Sequence, residues 1–364
     1  SLSSDQASGY IELQRRNAAS GRSGGLRVFG RLARVSLPKS EVRSVETLLD
    51  QQPTNLPSLD IVVEDFELRG KRLGRLQVQA QASPVSRDWH LSQLQLSNAD
   101  ATLRATGDWK LEPGGNQRRT QLNLQMELAD SGALLDRVGQ SHVLRDAKGT
   151  LQGQVSWQGS PFSPDYASMS GGLKLALEKG QFLKVEPGAG RLLSVLSMQS
   201  LARRFTLDFR DVFDEGFAFD AVTGDVAIKQ GILSTQNLRM QGVVAAVLLE
   251  GQADLARETQ DLHVVMVPDV NAGGASLAYV AVNPALGLTT FLAQWLLIKP
   301  LNAANTREFR VTGTFDNPKV EALSGEQATR ASSSPALKEQ TPGRPKLFLP
   351  PRGGGTGTSG SWGR

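Results

Sequence analysis

Alternation with a period of two dominates the chain. TQLNLQMEL, Thr120–Leu128, places Leu122, Leu124, Met126 and Leu128 at every second position with polar residues between them. Successive side chains of a strand point to opposite faces, so this spacing builds one apolar and one polar face. GLKLALEKG does the same through Leu173, Leu175 and Leu177, and LGRLQVQAQ, WHLSQLQLS, RFTLDF and FAFDAV repeat the pattern. The segments are separated by turn-forming residues, as in SPVSRD, EPGGNQ and KQG. Half-buried antiparallel strands are the expectation, in a mainly β chain whose sheet is elongated and curled.

Three segments depart from this spacing. Residues 130–140 follow a candidate cap, Asp130, and carry Leu134, Leu135 and Val138 at helical intervals. Residues 187–204 open with Pro-Gly and close with two arginines, the polarity a helix dipole favours. The third lies at 276–299. The spacing predicts short amphipathic helices at all three, gathered toward the C-terminal end.

The strands also repeat. Leu94–Leu111 aligns without gaps on Leu238–Leu255 at an offset of 144, matching Leu96 with Met240, Leu103 with Val247 and Gly107 with Gly251. Repeated strand units imply a sheet that grows by stacking.

Motifs that carry chemistry are sparse. The chain has no cysteine, which excludes disulfides and thiolate metal sites and fits an oxidising compartment such as a periplasm. His90, His142 and His263 lie far apart, without metal-ligand spacing. The acidic run Asp208–Gly216 lacks the spacing of a calcium loop and reads as a solvated strand end. No phosphate loop, nucleophile elbow or dinucleotide fingerprint occurs in its required context. No catalytic residue, metal or cofactor is expected.

The net charge of +4 is carried by the tail from Ser324, which holds six basic and two acidic residues, so the body is neutral. A neutral, aromatic-poor body argues against nucleic acid. The tail, 324–364, is rich in Ser, Pro and Gly and reads as disordered, as does the start, 1–25. The first residues contain no signal peptide or anchor, which reads as a fragment or processed chain. The β body is expected over 26–323.

Amphipathic strands outnumber the helices available to cover them, and an apolar face must be buried against something. One solution is a sandwich. Another is a groove, the sheet curling lengthwise with its apolar face inside. Such a groove suits acyl chains, because a sixteen-carbon chain costs on the order of 10 kcal/mol to expose to water. Leu76, Val78, Leu94, Leu96, Leu122, Leu124, Met126, Leu173 and Leu175 are the candidate lining residues.

Several of these segments, with Gly180–Gly231 the most specific, resemble the C-terminal part of the YhdP proteins. Those are AsmA-like proteins of Gram-negative envelopes, related to TamB. The resemblance implies a protein anchored in the inner membrane by a segment absent from this chain. It implies a periplasmic β-groove that carries phospholipid between inner and outer membranes without catalysis. The TamB relationship leaves a second reading open, a scaffold or chaperone that pairs exposed strand edges with outer-membrane proteins.

The uncharged stretch from Ser276 to Ile298 can then be weighed. Pro284 and Pro300 confine a helix to fifteen residues, roughly 22 Å, short of the ~30 Å hydrocarbon core. Leu288, Phe291, Leu292, Trp295 and Leu296 fall on one face. A lid on the groove, or a foot in the inner leaflet of the outer membrane, is the expectation.

Overall fold

The computed structural model describes residues 2–3, 7–15, 26–38, 57–83, 88–112, 117–161, 163–183, 217–242, 245–268 and 306–323. Seventeen strands form one sheet among them. In chain order they begin with β1 (Leu2–Ser3), β2 (Ala7–Arg15), β3 (Leu26–Leu37), β4 (Ser58–Leu68) and β5 (Lys71–Ala82). Next come β6 (Trp89–Ser97), β7 (Ala101–Leu111), β8 (Arg118–Leu128), β9 (Leu144–Arg145), β10 (Lys148–Gln158) and β11 (Ser170–Phe182). The last are β12 (Phe217–Lys229), β13 (Ile232–Gly242), β14 (Ala245–Asp254), β15 (Thr259–Pro268), β16 (Arg307–Thr314) and β17 (Pro318–Leu323).

The sheet is an open, curled antiparallel meander in which nearly every strand pairs with the next. Two departures matter. β3 and β4 run parallel, Arg27 opposite Ser58 through Leu37 opposite Leu68. Parallel neighbours need a crossover rather than a tight turn, and alternation alone carries no sign of it. β8 pairs with β10, while the two-residue β9 pairs with the end of β11.

β2 corrects the expectation of a loose start. Ala7–Arg15 pairs with β3 from Ala7 opposite Val35 to Arg15 opposite Leu26. The polar, glycine-containing composition outweighed a short alternation in the sequence, yet an available strand edge satisfies this backbone whatever its side chains.

One α-helix lies among the described residues, α1 (Ser131–Val138). The Asp130 side chain accepts from the Ala133 amide at 2.9 Å. Gly139, at φ 88°, ends the helix in the left-handed conformation that glycine adopts without a Cβ penalty. Its position, between β8 and β10, is mid-chain rather than C-terminal. The segments expected to be helical at 187–204 and 276–299, and the tail from 324, lie outside the described residues.

The internal repeat is a repeat of register. β6 and β7 pair Leu96 with Leu103 and Leu94 with Ala105, then slip and resume at Leu91 with Gly107. β13 and β14 pair Met240 with Val247 and Leu238 with Leu249, then slip and resume at Thr235 with Gly251. Every one of these pairs differs from its counterpart by 144, the bulge included. Bulges bend a strand and sharpen its twist, so both hairpins curve the sheet at the same point.

Candidate functional site

The registers align the apolar positions of β4 to β12 into continuous rows across the sheet. One row runs Ile61, Val78, Leu94, Ala105, Leu124, Gly153, Leu173, Val226. Its neighbour runs Val63, Leu76, Leu96, Leu103, Met126, Leu151, Leu175, Gly224. On the other side lie Leu59, Ala80, Leu91, Gly107, Leu122 and Val155. No charged residue occupies any of these positions.

All nine residues singled out from the sequence fall on these three rows, and all nine are half-buried. Ile61, Leu103, Leu151 and Val226 share the rows and the same half-burial. The polar positions of β8, Gln121, Asn123, Gln125 and Glu127, are exposed. The five residues expected on the lid or foot, Leu288, Phe291, Leu292, Trp295 and Leu296, lie outside the described residues, as does the acidic run at 208–216.

Both margins of the three rows are covered. Beyond Leu122 the next row is Trp89, Trp109, Thr120, Trp157. Trp109 and Trp157 are 2% and 3% exposed. The Trp109 indole donates to the Gly159 carbonyl at 2.9 Å, and the Thr120 hydroxyl donates to the same oxygen at 2.8 Å. The Trp157 indole donates to Ser160 O at 2.8 Å and the Trp89 indole to Pro57 O at 3.0 Å. The Arg118 guanidinium stands over the Trp109 ring at 4.6 Å. The loop after β10 is thereby held over this end of the apolar face. Gly159 takes φ 104°, which orients that shared carbonyl and favours glycine.

At the opposite margin the row is Ala101, Leu128, Gly149, Leu177, Val222. Leu135 of α1 and Leu144 of β9 pack into the cluster that includes Leu128, Leu177 and Val222. Arg137 of α1 ties the helix to the β6–β7 turn through Asp100 at 2.6 Å. The tryptophan row was not anticipated. Its signal was legible as Trp89-x-Leu91, Gly107-x-Trp109 and Val155-x-Trp157, each tryptophan continuing the apolar alternation at a strand end.

Toward the C-terminus the half-exposed surface gives way to full burial. Leu262 to Val267 are all buried, so both faces of β15 are covered. On the face opposite Leu262 and Val264, His263 lies between two carboxylates, Glu250 at 3.3 Å and Glu308 at 2.9 Å. Burial opposes charge on the imidazole, but the two carboxylates outweigh it and raise its pKa to about 9. Among the described residues no cluster of His, Asp or Glu is placed to hold a metal ion.

A hollow of about 1150 Å³ spans β6 to β12 along the Leu124 row. Its walls include Gln93, Gln95, Asn123, Gln125, Gln152 and Gln154, each the sequence neighbour of a residue on that row. Alternation puts these amides on the face opposite the leucines. A twisted, bulged sheet is saddle-shaped, and this hollow is lined largely from the polar side.

A family model described as YhdP protein matches residues 1–320. The chain belongs to the YhdP family. A curated relative, the intermembrane phospholipid transporter YhdP of Escherichia coli (strain K12), is 29% identical over 219 residues, covering 60% of this chain and 17% of the relative. The matched part of the chain therefore spans less than a fifth of that YhdP protein's length. No solved structure matches it. No helix among the described residues is long and apolar enough to cross a membrane.

Proposed function

We propose that this chain is a section of an intermembrane phospholipid conduit that lies between the inner and outer membranes of a Gram-negative envelope. Acyl chains rest on the apolar face of β4 to β12, and the protein performs no covalent chemistry. One observation carries the reading: two adjacent, uncharged apolar rows run unbroken across eight strands and a third across six, and most of their large side chains are only half-buried. An ordinary core would be closed; here most of these side chains stay half-buried between two covered margins. At about 4.8 Å per strand the seven steps from β4 to β12 extend roughly 34 Å. Each methylene shielded from water contributes about 0.8 kcal/mol, so a surface of this kind removes most of the barrier to moving a lipid through an aqueous gap. The similarity to a named phospholipid transporter supports phospholipid as the cargo.

The test is a photocrosslinking residue placed at Leu124 and, separately, at Gln125. Lipid adducts are expected at Leu124 and not at Gln125. Adducts at both, or at neither, reject the assignment. Adducts confined to Gln125 move the lipid to the amide-lined hollow on the other face. The 276–299 segment, uncharged from Ser276 to Ile298, belongs to the same proposal as a lid or membrane foot: its Trp295 emission is expected to shift to shorter wavelength when phospholipid vesicles are added.

A further inference from the structure

The apolar surface has a fixed dimension along its strands. Side chains on one face recur about every 6.8 Å. Three half-buried positions on β8, Leu122, Leu124 and Met126, therefore span roughly 20 Å between the two covered margins. The tryptophan margin is held by indole and hydroxyl hydrogen bonds to Gly159 and Ser160. The other is held by Leu135 and Leu144 packed near Leu128. One leaflet of a bilayer is half of the ~30 Å hydrocarbon core, about 15 Å deep. That span and the hydrocarbon of an ordinary membrane lipid thus have similar lengths.

The relief of the surface runs the same way. β8 presents Leu122, Leu124 and Met126 in succession, whereas its neighbours drop to small residues, Ala105 and Gly107 after Leu103 on β7 and Gly153 between Leu151 and Val155 on β10. The ridge follows the strand, and a chain lying beside it keeps dispersion contact along its whole length. A chain lying across the strands on the Leu124 row would bridge low ground at Ala105 and Gly153.

Resting on the phospholipid reading above, we propose that acyl chains lie parallel to the strands and that the two margins measure their length. Trp109 and Trp157 are then specificity-determining positions, although they meet only the terminal methyl end of the chain.

The experiment presents the purified chain with vesicles of one phosphatidylglycerol headgroup carrying two saturated chains of twelve, sixteen or twenty carbons, and counts bound lipid by native mass spectrometry. Sixteen carbons are expected to bind best. Leu122→Trp, at a half-buried position, fills the row beside the tryptophans and removes about 6.8 Å of free length. It is expected to shift the optimum to twelve carbons, weakening the sixteen-carbon lipid by about fourfold per methylene displaced. Trp109→Ala with Trp157→Ala is expected to shift the optimum toward twenty. If that double variant does not fold, Leu122→Trp decides alone. Equal binding of all lengths, or a Leu122→Trp optimum identical to that of the unaltered chain, overturns the length measurement and leaves phospholipid binding standing. No phospholipid bound at any length overturns the underlying function as well.

Discussion

Single residues set the chemistry of the sheet where both its faces are covered. His263 is charged because Glu250 and Glu308 flank it, at 3.3 and 2.9 Å. Its folded pKa, about 9, lies above the ordinary 6.5. The imidazole therefore contributes its full stabilisation below pH 6.5, and that contribution disappears as pH rises through 9. His263→Gln is expected to lose about 3 kcal/mol, because the buried Glu250 and half-buried Glu308 carboxylates lose their cation. Denaturant midpoints of the two proteins should differ widely near pH 6 and converge near about pH 10. A gap that stays constant with pH would show that the imidazole is not charged in the fold. Gly159 acts through backbone geometry instead. At φ 104° an alanine is strained, so Gly159→Ala is expected to cost about 1–2 kcal/mol by urea titration. The sequence offers no hint that this glycine, among 37, holds a margin, because its partners Trp109 and Thr120 lie 50 and 39 residues away.

At the scale of elements, alternation and register decide which side chains meet. β8 is the plainest case. Leu124→Asp puts a charge on the half-buried face and is expected to destabilise by about 1–2 kcal/mol while abolishing lipid adducts. Gln125→Asp, one position along, is expected to stay within about 0.5 kcal/mol. Equal losses from both, measured by thermal or urea unfolding, would contradict the two-faced strand. The strands and their faces were legible because period two is a local property. The bulges were legible in principle: Leu91-Ser-Gln-Leu94 and Thr235-Gln-Asn-Leu238 each skip a beat at equivalent positions. The parallel pairing of β3 with β4 was not legible, since neither strand records its partner's direction. The recruitment of β2 was missed for a related reason. Its backbone, rather than its side chains, makes the pairing, and Tyr10, Ile11 and Leu13 remain exposed.

For the molecule as a whole, stability should vary along the sheet. Strands touch mainly their neighbours, so unfolding free energy is closer to a sum over adjacent pairs than to one global value. β14 to β16 build the main apolar cluster, and β15 between them has a second covered face, whereas β2 carries its apolar residues in the open. Hydrogen exchange is expected to be slowest in β14–β16 and fastest in β2–β3, with β4–β12 between them. Adding phospholipid vesicles should slow exchange in β6–β12 and leave β14–β16 unchanged. Uniform protection along the chain would contradict this picture.

The sequence by itself determined that the chain is β, which residues share a face, which hairpins repeat, and to which family it belongs. Those properties follow from spacing and residue type along the chain. Only the tertiary structure decided how each apolar face is covered. Leu124 and Val264 both sit on apolar strand faces, yet one is half-open and the other is 1% exposed. The difference arises from what lies over them: Val264 sits inside the main apolar cluster, whereas Leu124 lies on rows that α1 and the loop after β10 cover at their margins. Alternation specifies that a face must be shielded from water. It does not specify whether protein or lipid does the shielding, because the apolar side chains needed for either are the same.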